Sequence, residues 1–276
     1  MNKFEDNYFT LAEHVLDFGN VRPSRVGSTV SIFGCTLHIK DLSENRFPIM
    51  TTRQIHVHPI MGELFCFLKG TDKLQDFIDA GCNYWTPNAE AWFENKGLTR
   101  DKMSVGVIYG VQWRNWQSGG DEGFDQLRAL VNGIKEDPHG RRHVVTAWQP
   151  GELADMCLPP CHILFQCYVE GNRLSMCVYM RSVDICLGLP TDIVLYATLL
   201  KLICNETSYH PGNLIFLMGD AHIYTNHISS LKDQLRKGSC DLPEFKLTST
   251  IDTFKPGDLE LLDYTFKRGI TYELNI

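Results

Sequence analysis

Apolar side chains at Phe4, Tyr8, Leu11, Val15 and Leu16 recur every three or four residues, the spacing of one buried helix stripe, and Gly19 supplies a stop. Thr29 to Phe33 alternates as a strand does, with Gly34 read as its end. Ile60 to Leu68 is almost wholly apolar and predicts a buried helix, with Glu63 set among Ile60, Leu64, Phe67 and Leu68. Phe124 to Lys135 keeps its apolar residues to one face and predicts a surface helix. The clearest β pattern is His162 to Val169 and Arg173 to Met180, two alternating runs across a Glu-Gly-Asn turn, which predict a hairpin. Asp192 to Cys204 predicts a very apolar helix with Asp192 near its N-terminus. Ile215 to Met218 reads as a short buried strand and Ala221 to Lys237 as a helix. Strands and helices mixed through one core give an α+β class. No repeat, low-complexity tract or linker divides the chain, so residues 1–276 are read as a single domain.

Composition narrows the function. With 43% hydrophobic residues and no long charge block, disorder is excluded. A net charge of -7, from 26 basic and 33 acidic side chains, argues against nucleic acid as the substrate, though not against a small anion site. The longest apolar stretch, Ile193 to Cys204, is broken by Lys201 and falls short of the roughly 20 residues a membrane span needs. Acids in the first residues leave no signal-peptide pattern, so a cytoplasmic protein with reduced thiols is expected. Its ten cysteines contain no CxxC pair, so neither a disulfide framework nor a zinc ribbon is predicted.

Several residues are candidates for chemistry. Cys161 follows Pro159 and Pro160, which hold the backbone and would keep its thiol at a defined point; a buried structural cysteine is the plain alternative. Cys157, Cys161 and His162 lack a fourth ligand, so no metal is predicted. Adjacent strand residues face opposite ways, which makes His162 a poor base for Cys161. Arg25, Arg141, Arg142 and Arg181 are each ordinary surface arginines, yet together they would make a dianion cradle. Glu63 and Asp184 sit in apolar surroundings, where a carboxyl is either a proton-transfer group with a raised pKa or a structural bridge.

Four segments then bring a family into view: SRVGSTVSIFG, FPIMTTRQIHVHPIMGELFCFLKG, DPHGRRHVVTAWQPGELADMCLPPCHILFQCYV and YMRSVDICLGLPTDIVLYATLL. They follow one another as in thymidylate synthases, GDAHIYTNH continues the match, and the likeness runs from Arg25 to a tail ending in GITYELNI. The resemblance implies a thymidylate synthase-like α+β fold whose mixed β-sheet is packed with helices and forms the dimer interface. It implies Cys161 as the nucleophile toward C6 of a pyrimidine, with Arg181 binding phosphate and favouring the thiolate. Arg25 and Ser182 would complete the phosphate site, and Arg141 and Arg142 would come from the neighbouring subunit of an obligate homodimer. His222 and Tyr224 would hold the deoxyribose 3′-hydroxyl. Glu63 would organise water and protons, and Tyr109 would serve removal of the C5 proton. The co-substrate implied is 5,10-methylenetetrahydrofolate, held at Asp184, Trp85, Leu158 and Gly188, with Arg53 where the family usually has lysine for the folate tail.

One departure changes the expected substrate. Thymidylate synthases read uracil with the asparagine of GxPxN, whereas this chain has GLPTD and presents Asp192. A carboxyl group can accept from cytosine N4 and share a proton with N3, while an ionised one repels uracil O4. The same aspartate occurs in deoxycytidylate hydroxymethylases of the family, so the expected substrate is dCMP and the expected product 5-hydroxymethyl-dCMP. Thr191 in place of phenylalanine and Asn88 in place of a second tryptophan add polar groups that could hold a water near the folate. Alternatives remain open: methyl transfer to dCMP, ordinary thymidylate synthesis, a catalytically silent nucleotide binder, and Asp192 as a mere helix cap. The retained Trp85, the terminal Ile276 and a KRG step where HPG is usual bear on how the site closes.

Overall fold

A computed structural model describes residues 2–40, 42, 45–97, 103–117 and 123–274. Helix α1 (Lys3–Phe18) is capped by Asn2, whose side chain accepts from the Glu5 N–H. The Glu5 carboxylate is wholly buried and accepts from the backbone and hydroxyls of Thr51 and Thr52, which ties α1 to that distant loop. Strands β1 (Asn20–Ser24) and β2 (Gly27–Ile39) form a hairpin with Arg25 at its tip, so the segment around Arg25 is a turn between strands instead of a free loop. Strand β2 runs straight through Gly34, and its register with a later strand is the same on both sides. Gly34 has φ +90°, so the glycine bends a continuous strand instead of ending it.

Helices α2 (Val57–Lys69), α3 (Leu74–Asp79), α4 (Thr86–Lys96), α5 (Tyr109–Arg114) and α6 (Gln126–Glu136) follow. Helix α5 packs on α2 at Gly110, where a Cβ would stand 2.6 Å from the Phe67 Cα; only glycine lets the turn carrying Tyr109 come this close. Strand β3 (Val144–Thr146) precedes the expected hairpin, β4 (His162–Glu170) and β5 (Arg173–Asp184). Helix α7 (Gly188–Thr207) is buried along most of its length and crosses over from β5 to β6 (His210–Tyr224), which pairs parallel to β5. Helix α8 (Ile228–Leu235) and the short pair β7 (Glu244–Lys246) and β8 (Glu260–Leu262) complete the chain.

Three sequence expectations are corrected here. The stretch from Ala221 is not helical: residues 221–224 continue β6, and only Ile228 to Leu235 form the α-helix. The strand expected at Ile215 to Met218 is therefore the middle of a much longer one. Helix α7 starts at Gly188, because Pro190 lies in the first turn, where helical N–H groups have no intrahelical acceptor to lose. Asp192 thus sits inside the helix, beyond the capping position, and does not cap it.

The large sheet has the order β1-β2-β6-β5-β4-β3 and mixes antiparallel pairs with the parallel β5–β6 pair, which is the α+β architecture expected. Helices α1, α2 and α7 and the aromatic group Phe67, Trp113, Phe165, Tyr196 and Phe216 cover one face. On the opposite face, cross-strand neighbours line up as Thr146, Leu164, Tyr179, Leu217 and Thr36, and as Val144, Gln166, Cys177, Ile215 and His38. Tyr168 on that side is 63% exposed, so an apolar sheet face lies open to solvent within this single chain.

Candidate active site

The sheet register gathers one wall of the site. Ser182 and Asp184 on β5 pair with Asp220 and His222 on β6, and His222 and Tyr224 pair in turn with Ser31 and Thr29 on β2. Arg25 at the hairpin tip and Arg22 on β1 stand at the same end. These residues line a cavity of about 610 Å³, with Cys161, Arg181, Glu63, Trp85, Tyr109, Leu158, Gly188 and Asp192 on its other sides. Twelve of the sequence-predicted residues are thus brought together with Cys161 around one space.

Cys161 is held from three directions. The Arg181 backbone N–H donates to Cys161 O at 2.8 Å, and the Tyr109 hydroxyl oxygen accepts from the Cys161 N–H at 2.7 Å. The Arg181 guanidinium donates to Pro159 O and Pro160 O, both at 2.8 Å, and lies 3.9 Å from Sγ. It clips the proline turn as well as facing the cavity, a role the sequence did not disclose. Burial pushes the Cys161 thiol up; Arg181 pulls it down and Asp192 adds to the rise. The expected thiolate-favouring effect of Arg181 is real in direction, but burial outweighs it.

Carboxyl groups line the cavity as well. Glu63 projects from α2 and accepts from the Trp85 indole N–H at 2.8 Å; burial pushes it up to about 7 despite that bond. The Asp192 side chain is only 16% exposed, and burial, then Glu63 and then Asp184, hold its carboxyl well above the usual range. Asp184 accepts from the Cys186 N–H at 2.8 Å and is raised by burial against the pull of that bond and of His227 and His222. Burial drives the His162 imidazole down to about 3, so it is neutral. Its Nδ1 meets the Tyr196 hydroxyl, yet, against the expectation from strand alternation, His162 lines the same cavity as Cys161.

Other residues lie elsewhere. Arg141 and Arg142 are exposed and outside this cavity, with Arg142 near Asp137 at 3.2 Å. Arg53 is buried, donates to Cys186 O at 2.6 Å and lies over the Tyr272 ring, so it does not line the cavity. Asp184, Cys186 and His227 bring their ligand atoms within 4.8 Å of one another, but the Arg53 guanidinium beside Cys186 disfavours a divalent cation there. Leu274 reaches the cavity, with the tail held by the His227 Nε2–H donating to Glu273 O and by the Tyr272 hydroxyl on Gln234. The terminal Ile276 lies outside the described residues. Sequence reasoning missed Arg22, Asp220 and Tyr84 as lining residues; the β1–β2 hairpin pattern was the one available signal for Arg22.

A family model described as Thymidylate synthase matches residues 6–276, nearly the whole chain. This chain belongs to the thymidylate synthase family. The thymidylate synthase of Staphylococcus haemolyticus (strain JCSC1435) is 36% identical over 307 aligned positions, which cover 96% of each protein. The protein is accordingly an enzyme, a folate-dependent one-carbon transferase of that family, whose members are dimers acting on pyrimidine nucleotides. The lining of the cavity suits both partners of such a reaction, since it combines arginine and hydroxyl groups with Trp85, Leu158 and an acid, Asp184. Among the described residues no helix is long and apolar enough to cross a membrane.

Proposed function

We propose that the enzyme transfers a one-carbon unit from 5,10-methylenetetrahydrofolate to C5 of dCMP and releases 5-hydroxymethyl-dCMP. The observation that carries this reading is Asp192, a carboxyl that burial pushes toward its neutral form, on the wall that a pyrimidine edge would meet. A neutral acid presents one oxygen that accepts from the cytosine N4 amine and one O–H that donates to N3. Uracil offers the opposite pattern at both atoms, so it is mispaired as long as the proton stays on the oxygen that faces N3.

The remaining roles follow the geometry. Arg25, Arg181 and Ser182 bind the phosphate, His222 and Tyr224 the 3′-hydroxyl, and the base reaches Asp192 with C6 toward Cys161. The thiol adds to C6 as the N3 contact draws electron density from the ring, making C5 nucleophilic. Glu63, poised at about 7, moves protons at the ring, and Tyr109 serves the C5 proton while holding the Cys161 backbone. When bound, 5,10-methylenetetrahydrofolate supplies carbon at the oxidation level of formaldehyde; Trp85, Leu158, Asp184 and Gly188 form its seat, with Arg53 behind them. The open sheet face supports a homodimer, in which Arg141 and Arg142 of one copy complete the phosphate site of the other.

The product turns on water. Addition of water to the methylene on C5 gives hydroxymethyl and leaves tetrahydrofolate; hydride delivery gives methyl and dihydrofolate. Thr191 donates its hydroxyl hydrogen to Gly188 O at 2.7 Å, so it can only accept from a water, whereas Asn88 lines the cavity with a carboxamide that has no partner among the described residues. Asn88 is the better water ligand of the two. The test is mass spectrometry of products from dCMP, dUMP and CMP with dihydrofolate followed in the same tubes. Hydroxymethyl-dCMP without dihydrofolate is expected. Methyl-dCMP with equal dihydrofolate makes the enzyme a dCMP methyltransferase, and product from dUMP alone returns it to thymidylate synthesis.

A further inference from the structure

Beside Asp192 on this wall stands His162, with Tyr196 behind it. The His162 Nδ1 lies 2.6 Å from the Tyr196 hydroxyl oxygen, and its Nε2 lies 3.7 Å from Asp192 Oδ1. The imidazole is stacked on the Tyr109 ring at 4.1 Å and 21°, which fixes its plane. As a neutral imidazole it carries one hydrogen, on one nitrogen or the other. Tyr196 decides which. It is wholly buried, burial keeps its phenol protonated, and the rings of Trp113, Phe165 and Phe216 surround it. Among the described residues its hydroxyl has one polar neighbour, His162 Nδ1. The phenol hydrogen therefore goes to Nδ1, and the imidazole hydrogen must sit on Nε2, directed at Asp192 Oδ1. At 3.7 Å this is a dipole facing an oxygen, longer than a hydrogen bond, but in a dry site it still biases where a proton rests.

We propose that Tyr196, acting through His162, is a positioning residue that fixes which oxygen of Asp192 carries the proton, and thereby sharpens the choice of cytosine over uracil. The proposal rests on the reading of Asp192 as the base-reading group. An N–H aimed at Oδ1 keeps the proton off Oδ1 and leaves it on Oδ2. Oδ1 is then free to accept from the N4 amine while the Oδ2 hydrogen meets N3. With the other tautomer, Nε2 would present a lone pair and draw the proton to Oδ1. Oδ2 would then face N3 bare, which repels cytosine and suits the N3–H of uracil.

Two measurements test this, with Asp192→Asn as the control for the underlying reading. Long-range proton–nitrogen spectra of the full-length wild-type enzyme should show His162 protonated at Nε2 with Nδ1 as acceptor. Tyr196→Phe keeps the ring and removes the hydroxyl; the ratio of kcat/KM for dCMP to that for dUMP should fall about tenfold, the cost of one misdirected buried hydrogen bond. A loss of activity shared equally by both substrates would show a structural role only and overturn the proposal, as would an Nδ1-protonated His162 in the wild type. If Tyr196→Phe does not fold, the wild-type spectrum decides alone. An unchanged ratio in Tyr196→Phe beside a switched preference in Asp192→Asn sinks this proposal and spares the base reading. An unchanged preference in Asp192→Asn sinks both.

Discussion

The two ends of the cavity solve different problems with opposite physics. The phosphate end, at the tip of the β1–β2 hairpin, is open: Arg22 and Arg25 are exposed, and Arg22 already shares Asp220 at 3.5 Å. Charge there is permanent, hydrated and indifferent to the base attached to the phosphate. The far end is less open: the acids Glu63 and Asp192 there are half-buried, and burial pushes both toward their neutral forms. In that setting the position of a single proton sets whether a base edge is matched or mispaired. Affinity for a nucleotide is therefore assigned to the open end and choice among nucleotides to the less open one, with Cys161 between them.

This division can be broken by substitution. Cys161→Ser, at the junction, should lower turnover by about 10³-fold or more with either base while leaving nucleotide binding measurable by calorimetry. Asp192→Asn should invert the dCMP-to-dUMP preference, with about 10²-fold loss on dCMP, read from kcat/KM for each substrate. Glu63→Gln tests the buried end through stability. The Glu63 carboxyl rises from 4.5 to about 7 on folding, so its proton stabilises the fold fully below pH 4.5, and that contribution is lost as pH climbs through 7. The glutamine variant should thus gain on the wild type above pH 7, by about 3 kcal/mol in denaturant titrations, and show no such gain at pH 4. Arg25→Ala tests the open end: KM should rise about tenfold, more at low salt than at high, with kcat and base preference nearly unchanged. If Arg25→Ala altered base preference, or Asp192→Asn altered only KM for both bases alike, the division of labour would be wrong.

What could be read from the residues alone follows the same line. The α2 helix and the β4–β5 hairpin were visible because periodicity reports a buried stripe directly. The end of β6 was misread, although Ala221 and Ile223 are buried and His222 and Tyr224 half-buried in strict alternation, because a true helix begins a few residues later and captured the reading. Gly34 was read as the end of a strand and is a bend in a continuous one; the helix read from Asp192 begins at Gly188, with Pro190 in its first turn. Among site residues, those with an unusual chemical type in an apolar setting, Glu63 and Asp184, were legible from sequence. Tyr196 was not. A tyrosine in an apolar helix looks like core, and only packing reveals that its hydroxyl has a single partner. The proline clip made by Arg181 was hidden for a related reason, since backbone acceptors leave no mark on residue type.

The most direct test of base recognition is a competition in one tube, with equimolar dCMP and dUMP, limiting wild-type enzyme and 5,10-methylenetetrahydrofolate, and products separated by mass. Asp192 as the base-reading acid predicts that the cytosine product dominates by about 10²-fold and that Asp192→Asn reverses the ratio. Dominance of the uracil product in the wild type would contradict it, and would mean that the aspartate reads uracil much as asparagine does.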